Sequence, residues 1–149
     1  MTDDLQALLR EERDVREISQ LKYRYLRTLD SKDWDGFADC FVPEATGDYN
    51  GLVFDDRAAL VAYMRENLGE GLVTMHQAHH PEIEVDGDTA TARCYFTVLQ
   101  VTAQGLHPIL AGEYHDRFRR VDGKWQFAER TFAPKLMGDL SRHMKGRVE

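Results

Sequence analysis

Between residues 4 and 30 the apolar side chains recur three and four positions apart. Val15, Ile18, Leu21, Tyr25 and Leu29 fall on one stripe, which predicts an amphipathic helix with a single inward face. Arg10, Glu11, Arg13, Arg16, Glu17 and Arg24 lie mostly off that stripe, as does Tyr23. Asp30 ends the helix. Asp33 is placed to cap a second, short helix from Trp34 to about Phe41, with Trp34, Phe37, Ala38 and Phe41 as its apolar side and Pro43 as its stop. Residues 45–54 contain a strand punctuated by Gly47 and Gly51. Asp55 or Asp56 then caps a third helix to about Asn67, whose face is Leu60, Val61, Met64 and Leu68.

From Leu72 the period changes from helical to two. Ile83 and Val85 alternate with Glu82, Glu84 and Asp86, as in a half-buried strand. Asp86-Gly87-Asp88 and Asp122-Gly123 are hairpin signals. The first leads into a long strand over 89–103, with Ala90, Ala92, Cys94, Phe96 and Val98 on one face; Gln104-Gly105 turns the chain into a strand over 109–121, and the second leads into the last strand, 124–132. Residues 133–149 have a weak helical pattern. Three helices followed by a meander of long strands predict an α+β fold in which the helices cover one face of a curved sheet. Such a sheet leaves a conical cavity suited to an apolar ligand.

The length of 149 residues suits one domain, taken as 1–149. A net charge of −7 argues against nucleic acid, which requires clustered cations. No apolar run approaches the ~18–20 residues of a membrane span, and the charged N-terminus lacks a signal core, so a cytoplasmic protein is expected. Cys40 and Cys94 have no metal-ligand spacing and are expected as reduced core thiols.

The candidate chemistry lies in polar residues set among apolar ones. His76 opens the segment TMHQAHH. Strict alternation with Ile83 and Val85 would turn it outward, but Pro81 cannot donate to a ladder and suggests a bulge. One extra residue would reverse the parity and bring His76 inward; otherwise it is an ordinary strand histidine. His76, His79 and His80 have no matched second cluster, so no metal is expected. Arg130 shares a strand face with Ala128 and Phe132 and needs a carboxylate partner. Asp30 is one candidate for it. Tyr114 and Asp116 share a face opposite to His115. Tyr114, Trp34, Tyr49 and Phe96 are the aromatic candidates for the cavity wall.

The segments RYLRTLDSKDWDGFADCFVPEA, TMHQAHHPEIEVDGDTATA and AGEYHDRFRRVDGKWQFAER resemble, in order and spacing, the SnoaL-like branch of the nuclear transport factor 2-like superfamily. The nearest likeness is to the subset containing bile acid 7α-dehydratase and hexachlorocyclohexane dehydrochlorinase. The resemblance implies a cone-shaped half-barrel and an Asp–His dyad at Asp30 and His76. It also implies a supporting arginine at Arg130, a tyrosine acid at Tyr25 and a homo-oligomer, dimer or trimer. The further acid of the bile acid enzyme has no counterpart in Phe96-Thr97-Val98-Leu99-Gln100. The expected activity is therefore a cofactor-independent lyase acting on an apolar ring compound such as a steroid, polyketide or terpenoid. An isomerase using the same groups and a non-catalytic binding or assembly module are the alternatives.

Overall fold

The structure is a computed structural model that describes residues 2–106 and 108–140. Helix α1 spans Thr2–Asp30, α2 Trp34–Asp39 and α3 Arg57–Asn67. Six strands follow or intervene: β1 Phe41–Tyr49, β2 Leu52–Phe54, β3 Leu72–Asp86, β4 Thr89–Thr102, β5 Pro108–Val121 and β6 Lys124–Asp139. They form one open sheet in the order β2-β1-β6-β5-β4-β3. All neighbours are antiparallel except β1 and β6, which run parallel, so the sheet is mixed. The architecture is the expected α+β one, with N-terminal helices packed on a sheet that does not close.

The expected local signals operate. Asp33 accepts a hydrogen bond from the Gly36 amide at 3.0 Å, and Asp56 from the Ala59 amide at 2.8 Å. Asp122 and Gly123 both have positive φ, as the tight β5–β6 hairpin requires. Ile18, Leu21, Tyr25 and Leu29 are buried, while Tyr23 is 47% exposed. On β4, Ala90, Ala92, Cys94, Phe96 and Val98 all face the core. Both cysteines are buried and free.

Three boundaries differ from expectation. The second helix stops at Asp39, and Phe41 already pairs with Phe127 in the sheet. Pro43 lies inside β1 instead of ending a helix. It is tolerated there because the β1–β6 register breaks between Phe41 and Thr46, so no ladder amide is needed. The single strand expected over 45–54 is a hairpin, β1 and β2, turning at Asn50-Gly51, where both residues have positive φ. Residues 133–139, expected with the tail as weakly helical, extend β6 against β5. An available partner strand outweighs a weak local preference. Pro134 sits where the β5–β6 register shifts, opposite Gly112, whose missing side chain the packing requires: a Cβ there would lie 2.1 Å from the Ala133 carbonyl oxygen. The rest of the expected tail helix, 141–149, lies outside the described residues.

Candidate active site

α1 crosses the inner face of the sheet and delivers Asp30 beside β3. The carboxylate is held by three donors. Oδ1 accepts from the His76 ring at Nδ1 (2.6 Å) and from the Thr74 hydroxyl (2.8 Å), and Oδ2 accepts from the His76 backbone amide (2.9 Å). Burial alone would raise the Asp30 pKa, but these hydrogen bonds and the imidazole hold it below the usual carboxylate value. A carboxylate can only accept, so Nδ1 carries the ring proton and Nε2 keeps the basic lone pair.

His76 reaches this position because β3 carries the expected bulge. His79 pairs with Tyr95 but Glu82 pairs with Arg93, which leaves one extra residue in the His80-Pro81 stretch. His80 adopts a φ of 50° there. The extra residue reverses the side-chain parity, so Thr74 and His76 share the inner face with Ile83 and Val85. The three histidines diverge: His79 bonds the Thr97 hydroxyl at 3.0 Å, and His80 is exposed.

His76 lines a cavity of about 140 Å³. Its walls are mainly apolar, with Leu29, Met64, Leu68, Val98, Leu110 and Phe132, and its polar groups are Tyr25, Tyr49, Tyr114, Thr74, His76 and Gln100. The hydroxyls of Tyr25 and Tyr49 are 3.0 Å apart. Burial, reinforced by neighbouring Tyr25, raises the Tyr49 and Tyr114 pKa values well above that of a free phenol, so both remain neutral donors. Larger hollows on the outer face of the sheet are lined by charged side chains such as Glu82, Arg93 and Glu129.

The expected partnership of Arg130 with Asp30 is corrected. Arg130 donates to Asp116 instead, from Nε at 2.7 Å and from Nη2 at 3.1 Å. Asp116 is its direct cross-strand neighbour. Lys22, from α1, bonds the same carboxylate. The guanidinium lies 4.0 Å from the Tyr25 ring centroid and 3.8 Å from that of Tyr114. Burial opposes ionisation of Asp116, but the two cations outweigh it and lower its pKa. Arg130 thus supports the tyrosines from beneath. The cation that feels the charge of Asp30 is Lys32, whose pKa is lowered by burial against the pull of Asp30.

Two cavity expectations are also corrected. Trp34 packs edge-on against Phe37 and is not part of the cavity wall. Phe96 is stacked at 4.6 Å on Phe132, which covers it from the cavity. Tyr25, Tyr49 and Tyr114 line the cavity. Sequence reasoning missed Thr74, although its spacing of two from His76 on one strand places them on the same face. It missed Lys22 and Gln100 as well. No cluster of three potential metal ligands occurs among the described residues, and none of their helices is long and apolar enough to cross a membrane.

Similar proteins agree with this architecture. A Mycobacterium tuberculosis protein of unknown function is 31% identical; the match covers 86% of this chain and 75% of that one, with a TM-score of 0.79. A scytalone dehydratase-like protein from Novosphingobium aromaticivorans is 23% identical over the full length of both chains, with a TM-score of 0.80. A hexachlorocyclohexane dehydrochlorinase from Novosphingobium barchaimii is 15% identical over 89% of this chain and 93% of its own, again with a TM-score of 0.80. The last two show a shared fold. The SnoaL-like domain model matches residues 10–131, and with most of its length matched the chain belongs to the SnoaL-like family.

Proposed function

We propose that this protein is a cofactor-independent lyase that eliminates water or another small leaving group from a ring compound bearing an oxygen function. The observation that carries this reading is the 2.6 Å contact between His76 Nδ1 and Asp30 on the wall of an apolar cavity. Two proteins that share the fold are named for eliminations, a dehydrochlorinase and a scytalone dehydratase-like protein.

In a dehydration, His76 Nε2 removes a proton from the carbon beside a carbonyl, and that electron pair moves towards the carbonyl oxygen. Asp30 stabilises the imidazolium and keeps the ring oriented. The hydroxyl of the Tyr25–Tyr49 pair whose proton is not used within the pair donates to the developing oxyanion. As the electrons return to form the carbon–carbon double bond, the hydroxide departs and takes the proton from the imidazolium, so water leaves and the base is restored. Tyr114 and Arg130 support the phenols. Isomerisation differs only in that the proton returns to another carbon.

The test uses 3-hydroxycyclohexanone, followed by enone absorbance and by exchange of its α-protons in D2O by NMR. Wild type is expected to accelerate both. His76→Ala should lose about 10²–10⁴-fold in rate while remaining folded, and Asp30→Asn should lose a comparable factor. Undiminished rates in His76→Ala would refute the assignment of the base.

We also propose a dimer or trimer. Val73, Met75, Leu99 and Val101 are exposed around an apolar groove of about 220 Å³ on the outer sheet face, near exposed Leu136 and Met137. Water at such a patch is costly, and a second copy would cover it. Sedimentation of a monomer at every concentration would exclude the assembly.

A further inference from the structure

The cavity restricts the substrate more than the dyad does. A cavity of about 150 Å³ holds a benzene-sized ligand, and this one is about 140 Å³. Its volume therefore matches one six-membered ring better than a fused tetracycle. This narrows the steroid class expected from the sequence.

The polar groups in the wall are not equally free. The Thr74 hydroxyl and the His76 Nδ1 are committed to Asp30, and the Tyr25 and Tyr49 hydroxyls to each other. Among the described residues, the Tyr114 hydroxyl makes no hydrogen bond, and neither does the Gln100 side-chain amide, although both line the cavity. Register places the amide far from the phenols. Tyr114 lies opposite Cys94 on β4, His76 opposite Val98, and Gln100 opposite Thr74. Cys94 and Gln100 are six residues apart on one face of β4, about 20 Å of strand. The base stands between them, nearer Gln100. Gln100 and the tyrosines nevertheless line the same cavity, so one ligand in it meets both.

We infer that the substrate is a single-ring compound with two hydrogen-bonding groups at opposite ends of the ring, one met by the tyrosine hydroxyls and the other by the Gln100 amide, with the reacting carbon between them. This deepens the lyase reading and rests on it for the reacting carbon, but not for the two contacts. The amide both donates and accepts, so the second group is a hydroxyl or a carbonyl. A wholly apolar ring would strip water from the amide and return nothing, which is how a polar wall rejects such ligands.

The experiment is equilibrium binding, independent of turnover. Calorimetry compares cyclohexanone, 4-hydroxycyclohexanone and a tetracyclic steroid ketone on wild type and on Gln100→Leu. Wild type should bind 4-hydroxycyclohexanone about three- to tenfold tighter than cyclohexanone, the range of one net hydrogen bond. Gln100→Leu should abolish that preference, and the steroid should not bind. A second measurement needs no variant: the Gln100 side-chain amide resonances should shift with 4-hydroxycyclohexanone and stay in place with cyclohexanone. Equal affinity for the two small ketones in wild type, or steroid binding as tight as theirs, would overturn the inference. If the preference holds but no elimination or proton exchange occurs, the base assignment fails while the substrate inference stands.

Discussion

Asp116→Asn is the sharpest test of the buried charge cluster beneath the tyrosines. In the native protein one carboxylate serves two cations, and the exposed fractions of Lys22, Asp116 and Arg130 side chains are 0%, 0% and 1%. Asparagine keeps the shape and an acceptor oxygen but removes the charge. Breaking a buried pair from one side typically costs about 3–5 kcal/mol, and here both cations lose their counter-ion. Arg130 keeps its charge, and its contacts with Tyr25 and Tyr114 persist. A loss of about 4–5 kcal/mol follows, and at about 2–4 °C per kcal/mol for a chain of this size that lowers Tm by roughly 10–15 °C. Urea titration followed by circular dichroism measures it. A loss under ~1 kcal/mol would refute the picture of a carboxylate shared by two buried cations.

Two further outcomes are expected. Thr74→Val removes one of the three donors to Asp30, so kcat should fall roughly 13- to 160-fold, the equivalent of the ~1.5–3 kcal/mol of a hydrogen bond to a charged group. A kcat equal to that of wild type would leave Thr74 with no part in orienting the dyad. On the outer face, Lys135 and Arg93 hold Glu113 at a pKa of about 2, below its ordinary 4.5. Its contribution to stability is complete above pH 4.5 and disappears as pH falls towards 2. The difference in urea midpoint between wild type and Glu113→Gln should therefore close over that window, and a constant difference would disprove the ion-pair origin.

Elements governed by local rules were legible in the sequence. The α1 stripe, the two Asx-Gly hairpins and the buried face of β4 each follow from spacing within one segment. The bulge in β3 was also legible, because Pro81 in an otherwise regular strand requires an irregular ladder. Contacts set by register between distant segments were not. Alternation put Asp116 and Tyr114 on one face and showed that Arg130 needed a carboxylate. The Asp122-Gly123 turn sets the β5–β6 register as far as Phe118 and Phe127, but a shift between Arg117 and Phe118 moves it by one residue and brings Asp116 opposite Arg130, and no sequence signal marks that shift. The role of Lys22 has no local signal, because its partner lies 94 positions away.

The position of His76 also has a consequence for solubility. β3 is an edge strand, bonded on one side only. Its outward amides are templates on which another chain could add a strand. The amide of His76 is occupied by Asp30 Oδ2, so the carboxylate that orients the base also blocks part of the open edge. Chemistry and protection against strand addition therefore share one side chain. Replacing Asp30 with alanine would uncover the edge as well as disable the dyad, and the resulting loss of activity would mix catalysis with aggregation. Asparagine, which retains an acceptor for the amide, separates the two.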